Sequence, residues 1–532
     1  MASELAKSNV RDELTSTAQT ALVNLDAAFR KRACRGDSRG ANEETIDWGI
    51  IYMFKFSGLN YVNVGPNGTF TPSGRLTTTP ADVDAIFANL VANQTKKLAI
   101  HFHGGLIKEG AGLEIARKLA PVYAGAGCHP VTFVWETGLV ETVTRSLGRL
   151  NETKLFQKLV EYVIRQAVKR LGGGIGGKGP EEALSSAEVA LELQREDAFD
   201  RLGAGVRDAA ARLDEAGLNA QFAEIEAELT EEFEADAEFA RLVESGMAET
   251  EHLNPEMREA VAPGEAKGLI ATATLVKAAA VVTFNVLRRY IRRSDHGLYP
   301  TVIEELLREV YLADFGAWVW QGMKDVAEKM WVPNVNPVDA NSHVGSYFVG
   351  KLAAHQAVHP DLAVDLIGHS AGAIAICELY KAAEARNLSL KIRNVLFLAP
   401  ACRSDLFLAE IVGHPERFAA FRMFTMKDEW ESRDRLVPGV YTRSLLYFIS
   451  GALEDSADVP VAGLARHFSG VAPYDTPDLL KIRGWLTAAG ANRLVLAKTE
   501  QALAGFGSMA IHHGDFDDEE VTRASLVTLV AA

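Results

Sequence analysis

Short apolar runs alternate with helix-patterned segments in two separate stretches of this chain, and that alternation restricts the fold more than any other feature. KLAIHF begins at Lys97, Gly112 to Ala124 reads as a helix, and HPVTFVW begins at His129. After Pro337 the pattern resumes. Ser342 to Val358 is helical, LAVDLIG a strand, Ala373 to Arg386 a helix and IRNVLFLAP a strand, with FRMFTM and RLVLAKT further on. Strands that are apolar throughout are buried on both faces, because each crossover lays a helix against the sheet. The pattern predicts an α/β fold with a mostly parallel sheet flanked by helices. Upstream, Trp48 to Phe56 and Tyr61 to Val64 also read as extended, with a turn at Gly65-Pro66-Asn67-Gly68.

Between the two stretches, from about Thr142 to Pro333, nearly everything reads as helix. Phe222, Ile225, Leu229 and Phe233 recur at helical spacing amid Glu and Ala, as do Ile303, Leu306 and Val310. The chain's 532 residues exceed what one core usually organises. Three parts are expected: an N-terminal helical extension (1–45), a sheet core (46–141 and 335–532) and a large helical insertion (142–334) acting as a lid or cap. Gly268 to Leu287 is apolar, but Lys277 and Asn285 interrupt it. A buried helix is expected there and not a transmembrane span. The basic run Arg288 to Arg293 keeps an interfacial contact in view.

A net charge of -15 excludes nucleic acid as the main partner, because phosphate binding needs a cationic surface. Cys34, Cys128, Cys377 and Cys402 show no CxxC spacing, and the polar N-terminus lacks the apolar stretch of a secretory signal, so a cytoplasmic protein is expected.

The strongest chemical signal is Gly368-His369-Ser370-Ala371-Gly372, a G-x-S-x-G match that directly follows an apolar strand and directly precedes a helix. A nucleophile elbow needs this context: small neighbours permit a tight turn, and the helix N-terminus favours developing negative charge. A serine also needs a base, an orienting acid and an oxyanion site. His103-Gly104-Gly105 follows the strand KLAIHF, and its glycines, with the Ala371 amide, are candidate oxyanion donors. For the base, His513 is preferred because Gly514 lets the loop turn, with His512 as the alternative. For the acid, Asp428 follows FRMFTM, Asp434 opens the tract Asp434-Arg435-Leu436-Val437-Pro438, and Asp405 follows IRNVLFLAP. Asp428 is the choice, Asp434 its serious rival and Asp405 a third.

Two other features read as decoys. Gly172 to Gly179 contains G-x-G-x-x-G, but a helix precedes it and Pro180 follows, so it reads as a flexible linker. His101 and His103 share a strand face and could ligate a metal, yet the glycine turn already accounts for His103 and no HExxH is present.

Elbow, HGG turn and the order Ser, Asp, His together resemble the α/β-hydrolase fold, in its esterase/lipase-like branch, over roughly residues 97–135 and 361–518. The resemblance implies a triad above the strand C-termini, a small-molecule or lipid ester as substrate, and no metal or organic cofactor. It implies a serine hydrolase working through an acyl-enzyme. A thioesterase or acyltransferase would use the same parts, and a non-catalytic scaffold on the same fold is the reading from another class. This chain has HGGL where many lipases have HGGG, and its insertion is longer than a usual lid.

Overall fold

A computed structural model describes residues 54–532 apart from 73, 105–108, 136–138, 173–183, 196–197, 201–209, 211–213, 245–251, 262–266, 312–316, 336–337 and 501–502. Seven strands form one sheet: β1 (Tyr61–Val64), β2 (Lys97–Phe102), β3 (His129–Trp135), β4 (Ala363–His369), β5 (Ile392–Leu398), β6 (Phe418–Met426) and β7 (Leu494–Ala497). Their order is β1-β3-β2-β4-β5-β6-β7, and every neighbouring pair runs parallel. The predicted α/β class is observed, with a sheet that is parallel throughout. Central strands are buried along nearly their whole length, as helix-covered parallel strands must be.

The expected strand over Trp48 to Phe56 differs. Residues 48–53 lie outside the described residues, and Phe54 to Phe56 stay out of the sheet. Ser57 ends the extended run there, because its side chain accepts the Leu59 N–H and caps a turn over Gly58–Asn60.

The helices that matter most for the site are α1 (Pro80–Ala92), α2 (Glu109–Gly125), α3 (Lys154–Leu171), α4 (Glu215–Ala235), α5 (Lys267–Arg292), α6 (Leu298–Leu306), α7 (Ala317–Lys329), α8 (Val344–Val358), α9 (Gly372–Ala385), α10 (Pro477–Leu486) and α11 (Glu520–Ala531). Among the described residues, the elements between β3 and β4 are helices. Ile225, Leu229 and Phe233 are buried on one face of α4, and Ile303 and Leu306 on α6. The apolar α5 packs on α3, α4 and α6. It is long and apolar enough to cross a membrane by length and composition, and 56% of its most apolar window is buried inside the protein. The glycine tract read as a linker lies almost wholly outside the described residues.

One buried polar cluster joins this helical segment to the chain after β6. The Glu304 carboxylate on α6 accepts from Arg289 at 2.6 Å and engages His296 Nδ1 at 2.8 Å, and the Tyr441 hydroxyl also donates to it. Asp458 receives His296 Nε2 at 3.1 Å and the Tyr474 hydroxyl. Burial opposes the ionisation of Glu304, yet His296 and Arg289 hold its carboxyl down to about 2. Removing one member of such a network strands a buried charge, at a cost of about 3–5 kcal/mol.

Candidate functional site

From β2 the chain first crosses outward to β3. It then returns through the helical segment to β4 on the opposite side of β2, and continues to β5, β6 and β7. The order therefore reverses between β2 and β4, and the carboxyl ends of strands at such a switch point leave a crevice where ligands bind. Ser370 follows β4 at this point, and His103-Gly104 follows β2.

The serine backbone has φ = 51°, in the left-handed region that L-residues rarely adopt. Neighbouring chain holds it there: the Ser370 N–H donates to the Leu398 carbonyl at 2.8 Å, and its carbonyl accepts from the Ala401 N–H at 3.0 Å. The flanking glycines are required by space. A Cβ on Gly372 would lie 2.1 Å from the Phe102 carbonyl oxygen, and one on Gly368 would lie 2.8 Å from the Gly372 carbonyl carbon. Register explains the first clash, since Phe102 of β2 pairs with Gly368 of β4.

His513 Nε2 lies 2.9 Å from Ser370 Oγ, bringing together two groups that are 143 residues apart in sequence. Ser370 is fully buried and His513 is 7% exposed. Burial, with the nearby His369 as the next cause, pushes the His513 ring down to about 3, so it is neutral at neutral pH. A neutral ring that accepts at Nε2 carries its proton on Nδ1, and Nδ1 has no hydrogen-bond partner among the described residues. His512 points elsewhere: its Nδ1 lies 2.9 Å from Asp434 Oδ1, and its side chain is 60% exposed.

The candidate acids separate clearly. Asp428, the sequence choice, does not reach His513. Its carboxylate accepts from the Tyr447 hydroxyl at 2.6 Å and lines a cleft of about 730 Å³ with Arg443 and Arg466. The physical reason is the short helix Asp428–Glu431, which opens directly after Lys427 and places Asp428 beside the Tyr447 hydroxyl. Asp405 pairs with the neighbouring Arg403. Asp434 is the candidate carboxylate that meets His513: Oδ2 accepts its main-chain N–H at 2.8 Å. Glu431 sits between the two leading candidates in sequence. It is fully buried, and desolvation pushes its carboxyl well above the usual range, with Asp434 and Asp428 adding to the effect.

Of the oxyanion candidates, Gly104 lies against the serine, where an added Cβ would be 3.2 Å from Ser370 Cβ. The Ala371 N–H follows Ser370 at the entrance to α9 and donates to no acceptor among the described residues. Gly105 lies outside the described residues. His103 is fixed structurally: Nδ1 lies 2.8 Å from the Gly104 carbonyl, Nε2 accepts the Trp135 N–H at 3.2 Å, and the ring stacks on Trp135 at 4.6 Å. Burial pushes it down to about 4. His101 faces the Tyr123 hydroxyl at 3.1 Å, and burial pushes its ring down to about 3.

Sequence reading missed His369 and Asp517. His369 Nδ1 lies 3.1 Å from Asp517 Oδ2, and its Nε2 lies 3.1 Å from the His513 carbonyl. The signal was available, since a histidine precedes Ser370 and an acid follows His513 by four residues, but the elbow pattern leaves the position of His369 unspecified and does not reach Asp517. The chain matches no family model, no curated protein and no solved structure, so residues and geometry alone carry its functional reading.

Proposed function

We propose that this protein is a serine hydrolase that cleaves carboxylic esters through an acyl-enzyme. The carrying observation is the 2.9 Å approach of His513 Nε2 to Ser370 Oγ, with the serine held at φ = 51° beside the Ala371 N–H, which has no acceptor among the described residues. In this reading the all-parallel sheet is an α/β-hydrolase core, and the helices between β3 and β4 are its cap.

The steps follow from the atoms present. Ser370 Oγ attacks the acyl carbon as its proton passes to His513 Nε2. The carbonyl oxygen becomes an oxyanion beside the Ala371 N–H and the dipole of α9. Collapse breaks the bond to the leaving alkoxide, which takes the proton from His513. Water then attacks the acyl-serine, His513 receives its proton, and the acid departs as Ser370 regains a hydrogen. Asp434 steadies the base through its main chain and supplies negative charge near the imidazolium as it forms. Because Ser370 is fully buried, substrate entry in this reading requires neighbouring chain to move.

A panel of p-nitrophenyl acyl esters tests the reading. A burst of nitrophenolate in the wild type, absent in Ser370→Ala, is the expected result. No hydrolysis of any ester by folded protein would contradict it. The His513 Nδ1, without a partner among the described residues, and the buried serine favour one second reading, a non-catalytic scaffold on the same fold, and the absence of any burst is what that reading predicts.

A further inference from the structure

We propose that His369 and Asp517 form a charged pair that positions the general base by clamping the main chain of His513. This rests on the reading of Ser370 and His513 as nucleophile and base, and it adds to that reading a residue pair outside the triad pattern.

The argument begins with hydrogen-bond capacity. Both ring nitrogens of His369 face acceptors: the Asp517 carboxylate at 3.1 Å and the His513 carbonyl at 3.1 Å. A neutral imidazole has one N–H and one lone pair, so it would aim a lone pair at an oxygen. Only the doubly protonated ring satisfies both contacts. The counter-charge is present, since Asp517 is buried and its carboxyl is held to about 2 against desolvation by His369. Burial opposes the charge on His369, but Asp517 outweighs it and raises the ring above its ordinary value.

The second step is geometric. His369 is the last residue of β4 and the immediate neighbour of Ser370. Its bond to the His513 carbonyl closes a short loop through the nucleophile, because His513 Nε2 returns to Ser370 Oγ. Asp434 takes the His513 N–H at 2.8 Å. Both main-chain polar groups of the base are thus held by side chains, while its ring nitrogen Nδ1 is free of partners among the described residues. Orientation that a carboxylate at Nδ1 would provide through the ring is here provided through the main chain.

The charge also bears on the base directly. The His369 and His513 rings stack with centroids 5.4 Å apart, and a positive His369 disfavours a second positive ring beside it. The other titratable groups facing His369 are His101 on β2, His103 after it, and Asp518, which pairs with Lys118 on α2. The two histidines are pushed down by burial, leaving Asp517 as the counter-charge that contacts the ring.

The test compares wild type, His369→Gln and Asp517→Asn on one p-nitrophenyl ester across pH. Hydrolysis by the wild type with a serine-dependent burst establishes the underlying reading; its absence sinks that reading before the pair is examined. With an active wild type, both variants are expected to lose kcat by about 10- to 100-fold with KM unchanged, the scale of a misplacement near 1 Å. His369→Gln is also expected to move the acid limb of kcat/KM upward by about one pH unit, because the like charge beside His513 is gone. Folded variants with wild-type kcat and an unmoved acid limb would overturn the proposal. Loss of the fold in both variants would overturn it as well, by making the pair a structural element.

Discussion

Asp434 Oδ2 lies 2.8 Å from the main-chain nitrogen of His513 and accepts its N–H, while the ring nitrogen Nδ1 of that histidine meets no partner among the described residues. A carboxylate therefore holds the proposed base by its backbone and leaves the ring to be aimed by the loop.

Asp434 and Asp428 should separate sharply in kinetics. Asp434→Asn keeps an acceptor for the His513 N–H but removes the charge, and a loss of about 10- to 100-fold in kcat is expected. Asp428→Asn keeps an acceptor for the Tyr447 hydroxyl, away from His513, and should stay within about threefold of wild type, at a stability cost of no more than about 1 kcal/mol. Steady-state ester hydrolysis checks both, and a reversed ranking would restore Asp428 as the acid.

The two adjacent histidines should behave differently. His513→Gln removes the group at Ser370 Oγ and should lower kcat by about 10²- to 10⁴-fold. His512→Gln alters a ring that is mostly exposed and bound to Asp434, and should cost less than about tenfold. Equal losses in the two variants would mean that the pair acts as one unit.

Stability should fall on mild acidification. His101, His103 and His513 are held at about 3, 4 and 3, below the ordinary value near 6.5. The unfolded chain binds these protons first, so the stability present above about pH 6.5 is lost as pH falls toward the folded values. At pH 5 the loss is about 2 kcal/mol per ring. His369 has the opposite sign: its contribution is complete below about 6.5 and is lost as pH rises through its raised value. Urea unfolding at pH 5, 6 and 7 measures the balance, and a flat profile would mean that the buried rings are not held neutral.

Gly372→Ala should damage the fold itself. Its Cβ would come within 2.1 Å of the Phe102 carbonyl, a backbone atom of the adjacent strand that cannot step aside. A loss of about 1–3 kcal/mol or more is expected from the overpacking, read as a lower urea midpoint. Unchanged stability would show that β2 and β4 can separate at the elbow.

Periodicity and turn chemistry made the sheet legible, because KLAIHF, HPVTFVW and LAVDLIG are apolar on both faces and could be buried only between helices. The tight turn at Ser370 was legible because Gly368 and Gly372 answer a local steric demand. His513, which the structure places beside Ser370, was singled out by its position after the last strand and the glycine beside it. The acid was not legible. Which of Asp428 and Asp434 meets His513 depends on how the short helix Asp428–Glu431 turns the chain after β6, and one helical turn moves a side chain by several ångströms. His369 and Asp517 were hidden for a related reason, since their roles arise from a contact across 148 residues and from no local pattern.

The most direct test of Ser370 as a nucleophile activated by His513 is covalent labelling with a fluorophosphonate, read by intact mass and peptide mapping. One adduct on Ser370 is expected in the wild type, none in Ser370→Ala, and much slower labelling in His513→Gln. A folded wild type that takes up no probe, or takes it up equally after Ser370→Ala, would contradict the account.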